Sequence, residues 1–217
     1  MPKHTVERGE YLSQIARKYG FSDYHTLWDH PENAALKKKR QNPSVLFPGD
    51  QIFVPVREFK EEAGATEKKH RFEAKQGKLM LRLVLENVYF KPIADAQCEL
   101  TVEGETFKLV SDGEGKIEKE IPATAQKATV VVKDPTTPIN DEVIPIKIGE
   151  LDPVEEVSGQ KARLNNLGYF AGPLNKEDEA LFRSAVEEFQ LENMGQSAVD
   201  GKCGPKTQAK LKEVHGC

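Results

Sequence analysis

Two periods of apolar residues alternate along this chain. Near the N-terminus Leu12, Ile15, Ala16 and Tyr19 fall at i, i+3, i+4 and i+7, one face of a helix that Gly20 ends. A second helical stretch follows Ser22-Asp23, with Tyr24, Leu27 and Trp28 on its apolar side. Short extended pieces flank both, His4-Thr5-Val6 before them and Gln51-Ile52-Phe53-Val54-Pro55 after the turn Pro48-Gly49-Asp50, so the predicted order is strand, helix, helix, strand. From residue 79 the period changes to two. Leu79, Leu81, Leu83 and Leu85 alternate with Met80, Arg82, Val84 and Glu86, and Cys98, Leu100 and Val102 alternate with Glu99, Thr101 and Glu103. Turns at Glu103-Gly104-Glu105, Asp112-Gly113-Glu114-Gly115 and Asp134-Pro135-Thr136-Thr137-Pro138 separate further strands near 106–111, 116–121, 128–133 and 142–148. Short strands at this spacing predict a small antiparallel β-sandwich, immunoglobulin-like or transthyretin-like. After residue 153 the helical period returns in Ala162, Leu164 and Leu167, in Leu181, Phe182, Ala185, Val186 and Phe189, and from Thr207 to Val214, which predicts a three-helix bundle.

Composition sets the joints. Residues 58–78 carry five Glu and six Lys or Arg with only Phe59 and Phe72 as large apolar side chains, too few to order a segment by burial. A second joint falls at Leu151-Asp152-Pro153, where proline restricts the residue before it. The expected organisation is multidomain α+β: 1–57, a charged linker at 58–71, the sandwich at 72–152 and the helical unit at 153–217. The net charge of -4, distributed as +3 over 1–57, -6 over 58–155 and -1 over 156–217, excludes a nucleic-acid binder driven by gross charge. No apolar run reaches the roughly 18 to 20 residues that span a bilayer, so no membrane partner is expected. The opening Met-Pro-Lys-His-Thr-Val-Glu-Arg lacks a secretory signal, so a soluble protein of the cytoplasm is expected. Cys98, Cys203 and Cys217 form no C-x-x-C pair and are too few for a disulfide framework.

Two stretches resemble known families. His4-Thr5-Val6-Glu7-Arg8-Gly9-Glu10-Tyr11-Leu12-Ser13-Gln14-Ile15-Ala16, followed by Gly20, resembles the opening of a LysM domain, and Pro48-Gly49-Asp50-Gln51-Ile52-Phe53-Val54-Pro55 resembles its close. The resemblance implies a βααβ fold that binds N-acetylglucosamine polymers, peptidoglycan or chitin, in a groove between two loops. Carried over, those loops are Gly9, Glu10, Tyr11 and Leu12, and Val45, Leu46, Phe47 and Pro48, with backbone polar groups meeting the acetamido group. The chain departs from the family in a longer stretch, His30 to Arg40, beside the implied groove. Ala162 to Gly172, Ala185 to Gln190 and Asp200-Gly201-Lys202-Cys203-Gly204-Pro205-Lys206-Thr207 are similar to the three-helix peptidoglycan-binding domain. That family has two near-repeats of Asp-Gly-x-x-Gly-Pro-x-Thr; this chain keeps the second, and reads Leu174-Asn175-Lys176-Glu177-Asp178-Glu179 at the first. Tyr169, Phe170, Asp200 and Gly201 are the candidate ligand residues there. The insert at 30–40, Leu151-Asp152-Pro153-Val154 and His215-Gly216-Cys217 together resemble signal-less accessory proteins of type VI secretion spikes. That likeness implies a secretion spike or effector as partner and delivery to the periplasm or cell wall.

Chemistry beyond binding finds little support in the residues. His4, His25, His30, His70 and His215 show no H-E-x-x-H pattern, so no metal is expected, and no cofactor motif stands out. His215-Gly216-Cys217 is similar to part of the L,D-transpeptidase nucleophile motif, but a thiolate needs a base, an oxyanion hole and a cleft, and a coincidence or a Cys203–Cys217 pair is the simpler reading. Cys98 alternates with core positions, and Trp28 lies on an apolar helix side, whereas Tyr11 and Phe170 beside loop positions are candidates for stacking on sugars. Lys37 to Arg40 forms a solvated face or meets an acidic partner. The expected protein is non-catalytic and binds peptidoglycan or its glycan strands; the alternative is a structural adaptor that binds protein partners.

Overall fold

The computed structural model describes residues 3–57, 66–69, 78–87, 89–133, 142–175 and 178–217. Most of the expected linker at 58–71, including Phe59 and His70, lies outside the described residues, as do Phe72 and the expected turn Asp134–Pro138.

In the N-terminal unit β1 (Lys3–Thr5) pairs antiparallel with β2 (Gln51–Phe53), with His4 opposite Ile52. Between them run α1 (Leu12–Lys18), α2 (His25–Trp28) and α3 (Ala34–Arg40). The apolar face read from the sequence is the core: Val6, Leu12, Ile15, Ala16, Leu27, Trp28, Leu46 and Ile52 form one buried cluster. The stretch His30–Arg40 differs from the expected two-helix order, because it folds as a turn at Pro31–Asn33 followed by the third helix, α3. No residue of α3 is fully buried; half-buried Leu36 packs against that cluster, and two polar anchors add to it. Asn33 donates to Leu27 O at 2.8 Å and Phe53 O at 2.9 Å and accepts from Phe53 N at 2.8 Å. At the other end Arg40 Nε and Nη2 grip the two Asp50 oxygens at 2.7 and 2.9 Å, while Asp50 also accepts from Phe47 N.

That ion pair makes a pH prediction. Burial works to raise the Asp50 carboxyl, but the hydrogen bonds from Arg40 and Phe47 N–H outweigh it and hold it below the usual carboxylate range. A folded-state pKa below the unfolded one gives stability that is complete above the unfolded pKa and drains away as pH falls through the folded value. Asp50→Asn is expected to cost about 2 kcal/mol at neutral pH and to flatten this acid-side loss. Trp28, the only tryptophan of the chain and part of this core, reports it by fluorescence in urea titrations at neutral and acid pH.

The middle unit has two antiparallel sheets. β3 (Lys78–Val84) pairs with β6 (Lys116–Pro122). The second sheet runs β5 (Glu105–Val110), β4 (Gln97–Val102), β7 (Lys127–Lys133), β8 (Glu142–Lys147). Alternation decides which side chains meet: Cys98, Leu100 and Val102 of β4 and Ala128, Val130 and Val132 of β7 are buried with Ile117 and Ile121 of β6, so both sheets share one apolar cluster. Cys98 is core, as its alternation predicts, and burial pushes its thiol up.

The C-terminal unit is helical: α4 (Val157–Asn166), α5 (Glu179–Met194) and α6 (Pro205–His215) enclose Val154, Leu164, Ala185, Val186, Phe189 and Leu211. Asp178 caps α5 by accepting from Leu181 N at 3.1 Å, and Pro205 opens α6, where a missing N–H costs nothing. The segment Leu151–Val154 is strapped onto α4. Asp152 accepts from Ser158 Oγ at 2.6 Å, Val154 O from Gln160 at 2.8 Å, and Asp152 O from Arg163 at 2.8 Å. Among the described residues no helix is long and apolar enough to cross a membrane.

Candidate functional site

The two N-terminal loops come together, but not as an open cradle. Tyr11 is 1 % exposed, and Leu12, Val45 and Leu46 are also buried. Tyr11 does not face solvent for stacking on a sugar; its hydroxyl donates to Ala125 O of the middle unit at 2.7 Å. Burial, with the Glu103 charge adding to it, pushes this phenol up to about 12. Gly149 lies against the same ring: a Cβ there would fall 2.3 Å from Tyr11 Cδ1, and its φ of +83 favours glycine independently. Across from it Gly9 has Glu150 Cγ at 3.6 Å from where its own Cβ would be. Glu10 is turned into its loop, accepting from His4 Nε2 at 2.7 Å, Glu7 N at 2.9 Å and Lys18 Nζ at 3.1 Å. Desolvation opposes the Glu10 charge, yet these bonds together lower its pKa. Phe47 is half-buried beneath the Arg40 guanidinium, 5.6 Å from its ring centre, and Pro48 is exposed. Of the two loops, then, Pro48 alone is fully open to a ligand; the rest is packed, self-bonded or covered by the middle unit.

The C-terminal turn is built differently, around a residue outside the predicted site. Gln190, 1 % exposed on the inner face of α5, uses its whole amide to shape residues 200–207. Its Nε2 donates to Asp200 Oδ1 at 2.8 Å, Thr207 Oγ1 at 3.0 Å and Lys202 O at 3.1 Å. Its Oε1 accepts from Asp200 N at 2.9 Å and Gly201 N at 3.0 Å. Asp200 Oδ1 also takes Lys202 N at 2.8 Å, and the Gln190 bond followed by this one lowers the Asp200 pKa. Gly201 sits at φ +68 with Arg183 and Glu187 so close that a Cβ would meet Glu187 Oε1 at 2.7 Å. Asp200 and Gly201 are therefore held in a fixed surface turn, with Asp200 exposed. The signal that could have singled out Gln190 is its polarity one residue after Phe189, on the helix face that the apolar period assigns to the core.

Tyr169 and Phe170 point opposite ways. Tyr169 is buried, its hydroxyl donating to Glu192 Oε2 at 2.7 Å and accepting from Asn193 at 3.0 Å. Its ring stacks on Phe90 of the middle unit at 5.3 Å, and it is a packing residue rather than an open sugar platform. Phe170 is 68 % exposed on a loop clamped by Asn165, which donates to Gly172 O at 3.0 Å and accepts from Ala171 N at 2.8 Å. At the position of the family's first repeat, Leu174 is exposed and Asp178 caps α5, while Lys176 and Glu177 lie outside the described residues.

His215 Nδ1 lies 3.1 Å from Cys217 Sγ. Burial, reinforced by nearby Arg163, drops the imidazole to about 4, and burial raises the Cys217 thiol, so both are neutral at pH 7. Cys203, pushed up to about 11 by burial, and Cys217 are free thiols. Among the described residues no three His, Cys, Asp or Glu gather as a metal site.

The unit with the organised turn is a helical domain of α4, α5 and α6 closed by a glutamine-held loop. Residues 154–211 match the family described as "Putative peptidoglycan binding domain", a span that takes in α4, α5, the Gln190 turn and α6 as far as Leu211. No curated protein and no solved structure gives a significant match to the chain.

Proposed function

We propose that this protein is a non-catalytic peptidoglycan-binding protein whose wall contact is made by the C-terminal helical domain. The observation that carries this reading is the match over 154–211 together with a turn whose polar groups are fixed from beneath by Gln190, leaving Asp200 and Phe170 outward. A preshaped surface of this kind binds without ordering cost and needs no reacting side chain. The neutral His215–Cys217 pair supports the absence of thiolate chemistry. Residues 1–57 form a LysM-like module and 72–152 a β-sandwich, and the assembly serves as an accessory of a contractile secretion machine, made in the cytoplasm and carried to the wall. The support for that last part is the resemblance of the 30–40 insert, the Leu-Asp-Pro-Val strap and the terminal His-Gly-Cys.

A second reading, a structural adaptor that binds a spike or effector, is favoured by one specific observation: the Gly9–Leu12 loop is covered by Ala125, Gly149 and Glu150 instead of lying open to glycan. Co-sedimentation with purified sacculi separates the two. Wild-type full chain is expected in the pellet, and Phe170→Ala, an exposed position, is expected to reduce retention severalfold without unfolding the domain. A wild-type protein that stays in the supernatant while affinity capture from cells recovers a secretion component decides for the adaptor.

A further inference from the structure

Exposed aromatic side chains are not scattered over this molecule. Among the described residues, the Phe, Tyr and Trp side chains open to solvent are Tyr89 at 77 %, Phe170 at 68 % and Phe90 at 40 %. All three belong to one junction. Phe90, on a turn of the middle unit, stacks on Tyr169 of the C-terminal domain with ring centres 5.3 Å apart and planes 18° from parallel. Tyr89 precedes the first ring of that stack in the chain, and Phe170 follows the second. The stack is anchored from both units. On the middle unit Asn87 closes the turn: its Oδ1 accepts from Tyr89 N at 2.9 Å and Lys91 N at 3.2 Å, its O accepts from Phe90 N at 2.9 Å, and its N donates to Lys91 O at 2.9 Å. Phe90 is held there at φ +56, a left-handed conformation that costs a residue with a Cβ, so the seat of its ring on Tyr169 offsets a local strain. On the C-terminal side the Tyr169 ring packs edge-on against the core residue Phe189 at 5.6 Å, and a Cβ on Gly168 would stand 3.1 Å from Phe90 Cε1. The two most exposed rings, Tyr89 and Phe170, are therefore each attached one residue from a fixed base.

An aromatic ring presented by a backbone that is already fixed offers a large apolar face at little ordering cost, which suits the C–H face of a ring-shaped ligand whose edge is polar. Phe170 lies inside the span that matches the peptidoglycan-binding family, and Tyr89 lies outside it. We propose that the wall contact continues from the C-terminal domain onto the middle unit: Tyr89 and Phe170 stack on sugar rings of one glycan strand, and Phe90 is the positioning residue that fixes Tyr89 relative to Phe170. An extended strand suits two rings carried by different units, because each ring meets a different sugar. Resting on the wall-binding reading, this names the sugar strand, rather than the stem peptide, as the part of peptidoglycan recognised here.

The test uses the full chain and two probes in isothermal titration: peptide-free glycan strands made by amidase digestion of sacculi, and the stem peptides released by the same digestion. Phe90→Ala removes a contact between units and can loosen the fold, so Tyr89→Ala is the deciding variant; it removes an exposed side chain and leaves the Asn87 bonds to the backbone in place, with the fold checked by circular dichroism. Wild type is expected to bind the glycan strands, and Tyr89→Ala to lose about three- to tenfold in affinity for them, as Phe170→Ala does. Phe90→Ala is expected to lose a similar factor and Phe90→Tyr, which keeps the stacked ring, to restore it. Unchanged affinity in Tyr89→Ala overturns the proposal, and so does a wild type that ignores glycan strands, whether it takes the stem peptides or instead captures a protein from cells through Tyr89. Retention on intact sacculi, measured separately, decides the wall reading: if sacculi retain the protein and Tyr89→Ala alike, that reading stands on the C-terminal domain alone.

Discussion

Gln190→Leu is expected to destabilise the C-terminal domain by about 3 to 4 kcal/mol and to abolish retention on sacculi. Leucine fits the volume, so the loss is polar: five hydrogen bonds vanish together, and Asp200 N, Gly201 N and the 4 % exposed Thr207 hydroxyl lose their common partner. Thr207 still reaches Lys202 O at 3.3 Å, which is why Thr207→Val, removing one member only, is expected to cost only about 1 kcal/mol. Urea unfolding followed by helical circular dichroism measures both, and the graded result is diagnostic. If the leucine variant unfolds at the wild-type midpoint, the amide is not organising the turn in solution. If it is destabilised but binds sacculi unchanged, the Asp200–Thr207 turn is not part of the wall contact.

Tyr11→Ala comes next in size, with an expected loss of about 3 kcal/mol or more from truncating a buried aromatic. Tyr11→Phe is expected to lose about 1 kcal/mol, since it removes only the bond to Ala125 O. The ring is sandwiched between its own loop and Gly149, so truncation opens a gap at the junction of the N-terminal and middle units. Hydrogen exchange is expected to speed up at residues 9–12, 125 and 149 in the alanine variant and to change little in the phenylalanine one. No acceleration in the alanine variant would mean that the two units are not docked there. The same variant weighs the two functional readings: gain of binding to N-acetylglucosamine oligomers on uncovering Gly9–Leu12 speaks for a glycan module closed by its neighbour, and no gain speaks for a loop given over to contact between units.

Much of this was legible before any coordinates. The 3.6-residue spacing of Leu12, Ile15 and Ala16 and the alternation of Cys98, Leu100 and Val102 each identify a buried face, because periodicity is a local consequence of helix and strand geometry. The Asp-Gly-x-x-Gly-Pro-x-Thr turn was readable for the same reason, since its glycine and proline answer to local backbone demands. The third helix, α3, was less visible. It fully buries no residue and packs only half-buried Leu36 on the core, while Asn33 and the Arg40–Asp50 pair hold its ends through bonds that leave no period in the sequence.

Residues near one another in the chain thus settled most of the elements, α3 excepted, and the kind of C-terminal domain by themselves. Tertiary structure alone decided that Tyr11 faces the middle unit, that Tyr169 packs on Phe90 while its neighbour Phe170 meets solvent, and that Arg163 is buried against Asp152 O, Gly159 O and Cys217 O. Each depends on which distant backbone or ring arrives at a side chain, and an aromatic or a guanidinium has the same identity in the sequence whether it meets a carbonyl, another ring or open water.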